Sequence, residues 1–365
     1  MPVRNSIVGE FFKKGKLLTP EAIRYLENKD IEGFLADNYE IVVDIEDLMA
    51  REDRIRILKN ITEKKSEVTT ADIVKFYNSK YEKMRSIIAS RLQKNFVSIN
   101  KLDSFRNEIF IIGIVREIKN NENKKTIDVE DSTGSMTVVF EPQEAEDVEL
   151  DDVVAIQGIS AGKIVFGKKI MFPDMPLRQP VLGKGKACFI SGVQLDEAPQ
   201  KDFEAFLKWF ESQDIRYLFV TGPIGDIACF ETMIDNYCGN KRVFMAAEGD
   251  GMPVLPLKIA SKNIVSLSNP SMVEVNGVKI LLINNFDLKM LKKRHLGAIK
   301  PVLSEDLMTL EDMPDIVHTG SGEAGINNYK STTIIKSGSF LENFKPVVVD
   351  FASRDCRQMG LEDLV

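Results

Sequence analysis

The sequence predicts a multidomain α+β protein: helices first, then a small β-barrel, then alternating strands and helices. Three observations predict it. Residues 1–66 carry helix-start signals and little β pattern; residues 105–178 hold five or six short β-rich runs; from residue 185 onward strand and helix patterns alternate. A chain of 365 residues is also too long for one ordinary core, so about two or three domains are expected.

In the N-terminal helical domain, Thr19-Pro20-Glu21 is a helix start, with a capping hydroxyl, a proline in the first turn and an acid at the positive end of the dipole. A short strand is expected over Glu40–Asp44. Residues 67–104 form a helical linker whose helix opens at Thr69-Thr70, with Asp72 in the first turn, and runs with a break to about Lys94. Tyr81, Met84, Ile88 and Leu92 recur at helical spacing, which suits a partner-binding helix or an ordinary core-facing one. Residues 105–178 then give strands at Ile109–Val115, Thr126–Glu130, Met136–Phe140, Val153–Gln157 and Ile164–Met171, with a turn at Asp131-Ser132-Thr133-Gly134. That many short strands in so few residues predict a barrel of the OB-fold type.

Pro173, Pro176 and Pro180 mark the next boundary. Over 185–352, Ala187–Ser191, Tyr217–Thr221, Val243–Ala246, Asp315–His318, Thr333–Lys336 and Val347–Asp350 read as strands, and Phe203, Phe206, Leu207 and Phe210 as one apolar helix face. Asn276-Gly277 joins Val273–Val275 to Val278–Ile283 as a hairpin. This is an α/β sandwich, with polar loops at its strand ends. Residues 353–365 are a C-terminal tail.

Hydrophobic residues make up 44% and charged residues 28%, a globular balance. No apolar run approaches the ~20 residues of a membrane span, and MPVRNSIVGEFFKKGK lacks the apolar stretch of a signal peptide, so a cytoplasmic protein without a membrane partner is expected. Cys188, Cys229, Cys238 and Cys356 form no CxxC pair and read as reduced, mostly buried thiols. The net charge of −7 makes the chain as a whole a poor ligand for nucleic acid, whose affinity comes mainly from phosphate neutralisation. No P-loop and no GxSxG nucleophile elbow is present.

The segments VSINKL (Val97–Leu102), LFVTG (Leu218–Gly222), VSLSNP (Val265–Pro270), KKRHLGAIKP (Lys292–Pro301), MPDIVHTG (Met313–Gly320) and IIKSGSF (Ile334–Phe340), interrupted by the barrel, occur in this order. Over roughly residues 70–351 the chain resembles the small subunit of archaeal family D DNA polymerase, related to the B subunits of eukaryotic replicative polymerases. The resemblance implies a calcineurin-like phosphoesterase domain, in that family a manganese-dependent 3′–5′ proofreading exonuclease, docked with the barrel against a catalytic large subunit. It also implies that the metal motifs are broken here. The Asp-x-His motif falls on Ser191-Gly192-Val193-Gln194 and the Gly-Asp motif on Gly222-Pro223. Gly-Asn-His-Asp falls on Ala247-Glu248-Gly249-Asp250, the lone His on Asn284, and Gly-His-x-His on Gly320-Ser321-Gly322-Glu323. The only two histidines, His295 and His318, fall outside the ligand positions. No catalytic residue, metal or cofactor is therefore expected. Asp226, Glu248, Asp250 and Glu323 are either solvated loop acids or a rearranged carboxylate site for a hard cation.

What remains suits macromolecular contact. Lys119, Lys124 and Lys125 lie in a basic loop and are candidate DNA contacts, or simply solvated; Lys163, Lys168 and Lys169 add charge, and Phe110, Phe140, Phe166 and Phe172 read as core. Gln358, Leu361, Leu364 and Val365 have the spacing of a sliding-clamp-binding peptide, with an ordinary frayed terminus as the alternative. The function expected is a non-catalytic scaffold subunit bound to the large polymerase subunit, meeting DNA mainly through that complex. The alternatives are a residual metal-dependent 3′–5′ exonuclease and a free-standing single-strand-binding adaptor.

Overall fold

The computed structural model describes residues 2–27, 31–35, 41–45, 48, 54–64, 67–102, 107–121, 123–197, 200–239, 241–249, 251–297, 305–320 and 322–360. The N-terminal unit contains α1 (Pro2–Lys13), β1 (Leu17–Leu18), α2 (Pro20–Leu26), α3 (Glu32–Leu35) and β2 (Val42–Val43). Thr19 caps α2 as its sequence predicts, accepting from the Ala22 amide at 3.3 Å. The expected strand is the two-residue β2, parallel to β1; Glu40 lies outside the described residues. Phe11, Ala22, Leu26, Val43 and Leu48 close this small core.

β3 (Ile55–Lys59), read in sequence as part of the helical unit, packs elsewhere, as described below. Then comes α4 (Thr70–Leu92), held at its start by a reciprocal capping box: Asp72 Oδ2 accepts from the Thr69 amide at 3.0 Å, and Thr69 Oγ1 accepts from the Asp72 amide at 3.3 Å. The break expected in this helix is not there. No Pro or Gly interrupts residues 70–92, and Phe76, Tyr81, Met84 and Ile88 keep one continuous buried face. Gln93 ends the helix in the left-handed region, at φ 49°.

The barrel strands are β4 (Glu108–Asn121), β5 (Lys124–Asp131), β6 (Gly134–Phe140), β7 (Val153–Ser160) and β8 (Ile164–Met171), closed in the order β4-β5-β6-β8-β7. Only the β6–β8 pair is parallel, and the whole has the five-stranded OB-like form the sequence predicts. Ile111, Val115, Ile127, Val129, Val138, Phe140, Ile156 and Val165 fill its interior. On the outside, Ile112, Ile114, Val153 and Ala155 meet Tyr81, Met84 and Ile88, so α4 is a core-facing helix sealing one side of the barrel.

The C-terminal domain has two six-stranded sheets. Its elements are β9 (Lys186–Ser191), α5 (Gln200–Ser212), β10 (Tyr217–Gly222), α6 (Ile227–Tyr237), β11 (Arg242–Ala247), β12 (Ile264–Leu267), β13 (Ser271–Val275), β14 (Val278–Leu282), α7 (Leu288–Lys293), β15 (Ile316–Thr319), β16 (Gly325–Tyr329), β17 (Thr332–Lys336), β18 (Val347–Asp350) and β19 (Cys356–Gln358). One sheet runs β12-β11-β10-β9-β18-β19, the other β16-β17-β15-β14-β13-β3. Alternation along β9 and β10 explains the layering. Phe189 and Phe219 point between the sheets, stacked 4.9 Å apart, and meet Val273, Ile280, Ile316 and Ile335 of the second sheet. Cys188, Ile190, Leu218 and Val220 point the other way, under Phe203, Phe206 and Phe210 of α5 and Phe230 and Ile234 of α6. The far face of the second sheet is covered by Leu291, Leu296, Met308 and Leu310.

β3 is the edge strand of that second sheet, with Arg56 forked onto Glu274 of β13, Nη2 2.7 Å from each carboxylate oxygen. β19 pairs antiparallel with β18, so part of the expected tail is sheet. No helix among the described residues is long and apolar enough to cross a membrane.

Candidate functional site

The strand ends bring together the segments on which the resemblance places the metal motifs. The Gly192 amide donates to Thr221 O at 2.9 Å, tying β9 to β10, and the Glu248 amide donates to Gly222 O at 3.1 Å, tying β11 to β10. The second sheet joins through Asn284, just past β14: its Oδ1 accepts from the Gly222 amide at 2.8 Å and its carbonyl accepts from Thr319 Oγ1 at 2.7 Å. Gly320 follows at the end of β15, where an added Cβ would stand 3.0 Å from Ser191 Cβ. At Gly222, φ is +88° and a Cβ would stand 3.0 Å from the Gly192 amide nitrogen, so glycine is required there for both reasons.

The centre of this seam is a buried hydrogen-bond chain that ends on a backbone carbonyl. Ser337 Oγ donates to Ser191 Oγ at 2.9 Å, and Ser191 Oγ donates to the Gly338 carbonyl. With the Ser337 proton committed, His318 Nε2, 2.9 Å from Ser337 Oγ, is the donor of that pair. His318 is wholly buried against the edge of Phe189, ring centroids 5.2 Å apart, and burial pushes its pKa down to about 3, so the imidazole is neutral. A serine and a histidine in contact resemble a nucleophile and its base, but the protons run the wrong way. Ser191 gives its hydrogen to a carbonyl, so it is not activated for attack.

Among the described residues, those at the seam do not fit the pair of divalent cations that the resemblance implies. A phosphoesterase site of that type uses imidazoles and a bridging carboxylate around ions about 3.5–4 Å apart. Here the converging side chains are Ser191, Thr221, Asn284 and Ser337, all neutral and all buried. Asp226 is exposed and engaged as the cap of α6, accepting from the Cys229 amide at 3.0 Å. Glu248 and Glu323 are exposed, and Asp250 lies outside the described residues. Among the described residues no three His, Cys, Asp or Glu side chains are grouped to hold a metal. His295 sits elsewhere, buried with Nε2 3.3 Å from Asp306 Oδ1. Burial lowers its pKa against the pull of that carboxylate. Asp306 is held well below the usual range: burial works to raise it, and the nearby His295 ring together with hydrogen bonds from Thr309 and the Met308 amide outweighs that.

The lysines expected in a basic loop lie instead on the paired strands β4 and β5, where the hairpin ladder extends almost to the turn, and two of the three are engaged. Lys119 Nζ lies 2.8 Å from Glu117 and 3.9 Å from Asp128, and Lys125 Nζ donates to the Ala145 carbonyl at 2.6 Å. Lys124 is exposed with no ion pair among the described residues. Of the four phenylalanines read as core, Phe140 is inside the barrel, Phe110 and Phe172 are half-buried, and Phe166 faces outward, 44% exposed. Gln358 is half-buried in β19, in register with Val347; Leu361, Leu364 and Val365 lie outside the described residues. The four cysteines are free thiols, Cys188 and Cys238 buried and Cys229 and Cys356 half-buried. Sequence reasoning missed the hydrogen-bond chain from His318 to Ser191, whose members come from three separate segments. It also missed the outward turn of Phe166, which the alternation Ile164-Val165-Phe166 does signal.

No family model matches the chain. Curated relatives do. The DNA polymerase II small subunit of Methanothermobacter thermautotrophicus is 26% identical over 349 residues, covering 74% of this chain and 72% of that protein. That of Archaeoglobus fulgidus is 24% identical over 378 residues, covering 81% and 76%. That of Pyrococcus abyssi is 25% identical over 368 residues, covering 78% and 59%. Among solved structures, an OBody bound to hen egg-white lysozyme aligns with 24% of this chain and 96% of its own, at 17% identity and a TM-score of 0.20. The relatives and the ordered segments agree: over most of its length the chain is similar to the small subunits of archaeal DNA polymerase II, the family D type its sequence resembles.

Proposed function

We propose that this chain is a non-catalytic accessory subunit of an archaeal family D replicative DNA polymerase, binding the catalytic large subunit and meeting DNA mainly through that complex. Its C-terminal domain, two stacked sheets with helices outside, is read as a calcineurin-like phosphoesterase kept as a scaffold. One observation carries the reading. The five motif segments converge, and at their meeting point neutral side chains and glycines close directly on one another, as in the 2.8 Å bond from the Gly222 amide to Asn284. Among the described residues the seam offers two cations no grouped His, Cys, Asp or Glu donors.

The test is a manganese-dependent 3′–5′ exonuclease assay on the purified chain with a labelled primer–template. The reading expects no manganese-dependent shortening above the buffer control. Shortening that Asp250→Ala abolishes would establish a rearranged carboxylate site instead. Clamp binding through the tail requires Gln358 to leave its place beside Val347 in β19. Deletion of residues 358–365 tests it by loss of clamp co-elution.

A further inference from the structure

The barrel presents an outer face that the function above does not use. Along β8, Val165 points into the core while Ile164 and Phe166 point out, 38% and 44% exposed. The alternation is enforced one residue later, because a Cβ on Gly167 would stand 2.1 Å from the Phe140 ring. Register then builds two cross-strand rows on the outside. One runs Glu108–Ile159–Phe166–Val139 across β4, β7, β8 and β6; the other runs Phe110–Gln157–Lys169 beside it.

Four lysines belong to this face. Lys94 lies over the Phe110 ring, 5.4 Å from its centroid; Lys163 is in the β7–β8 turn; Lys168 and Lys169 are on β8 itself. The carboxylate in these rows, Glu108, is taken by Lys168 at 3.1 Å and by the Gln157 amide at 3.1 Å. Lys94, Lys163 and Lys169 are exposed and form no ion pair among the described residues. The patch stops at β5, where Asp128 accepts from Thr137 Oγ1 at 2.6 Å. Lys169 also lines a groove with Glu144, Glu146 and Asp147, the last paired with Lys292, so the cations clear of that acidic groove are Lys94 and Lys163, beside the exposed Phe166 and Ile164.

We propose that this face binds single-stranded nucleic acid, with a base stacked on Phe166 and phosphates on Lys163, Lys169 and Lys94. Protein-docking patches are depleted in lysine at their centres, whereas lysines interleaved with an exposed aromatic ring are what a single strand uses. The site is separate from the β4–β5 hairpin, where Lys119 and Lys125 are engaged. The inference concerns the chain alone and stands or falls independently of the assembly proposed above.

The test is fluorescence anisotropy of a labelled oligothymidylate, about 20 nucleotides long to exceed one barrel's site size, titrated with the full chain across a salt series. Phe166→Ala weakens binding about 5- to 150-fold, the range of one stacked base, while Phe166→Trp retains it. The pair Lys163→Ala and Lys169→Ala reduces the salt slope by about 1.4, and Lys201→Ala on α5 changes nothing. The proposal is overturned if the unaltered chain does not bind at low salt, if Phe166→Ala binds as well as the parent, or if Lys124→Ala costs more than Phe166→Ala. It is also overturned if Phe166→Ala leaves the oligonucleotide bound but releases the polymerase large subunit, which would make the face a protein interface.

Discussion

Asn284→Ala probes the closed seam at its narrowest point. The Asn284 side chain is buried, and its Oδ1 accepts from the Gly222 amide at 2.8 Å across the two sheets. Alanine leaves that N–H buried without an acceptor, at a cost of about 1–3 kcal/mol. Part is returned, because Asn284 Nδ2 is itself buried without a partner among the described residues and disappears with the side chain. The net expectation is about 1–2 kcal/mol of lost stability in the C-terminal domain, read as a lower urea midpoint at unchanged m-value. Asn284→Asp keeps an acceptor for Gly222 but buries a charge, which raises that carboxyl's pKa in the folded state. The variant is therefore expected to be the less stable of the two at pH 7 and to regain stability as pH falls and the acid form takes over. Millimolar Mn²⁺ should leave its unfolding midpoint where it was, since a single carboxylate among serines and glycines does not complete a site. Indistinguishable unfolding of Asn284→Ala and the parent, within about 0.5 kcal/mol, or a clear Mn²⁺-induced rise for Asn284→Asp, would refute the closed-seam reasoning.

Other outcomes follow from the same structure. His318 is held at about 3 by burial against an unfolded value of 6.5, so below pH 6.5 the unfolded chain binds the extra proton. Stability should therefore fall with pH from 6.5 downward by about 1.4 kcal/mol per unit for this residue, with His295 acting in the same direction, and His318→Asn should flatten the slope. Gly167→Ala drives a methyl group into the Phe140 ring and should cost about 1–3 kcal/mol in the barrel, with Phe140→Leu as a partial suppressor. Arg178→Ala removes the partner 2.6 Å from the buried Asp315 carboxylate and should cost about 3–5 kcal/mol, more than Arg56→Ala at the exposed sheet edge.

What could be read from sequence was what depends on local pattern. The barrel strands alternate, Asn276-Gly277 can hardly be anything but a hairpin turn, and Thr69 with Asp72 spells out its own capping box. The unread parts depend on partners remote in the chain. β3 is five residues long and gains its identity only from β13, with Arg56 and Glu274 lying 218 positions apart. Lys125 reads as a free cation until the fold places the Ala145 carbonyl beside it. The site shows the same division. The scarcity of histidine was legible in the sequence, but the bonds from Ser337 to Ser191 and from the Gly222 amide to Asn284 were not, because strand ends from the two sheets must meet before either exists. Phe166 was misassigned because aromatic content alone pointed to a core; its position in the alternation of β8 sends it outward.

The most direct measurement is co-expression of a tagged large polymerase subunit with this chain, followed by mass determination of the purified material and a manganese-dependent proofreading assay on it. The account predicts a stoichiometric complex with polymerase activity and no 3′–5′ exonuclease attributable to this chain. A large subunit recovered without it, or exonuclease activity that appears only when it is present and vanishes with Asp250→Ala, would contradict the scaffold reading.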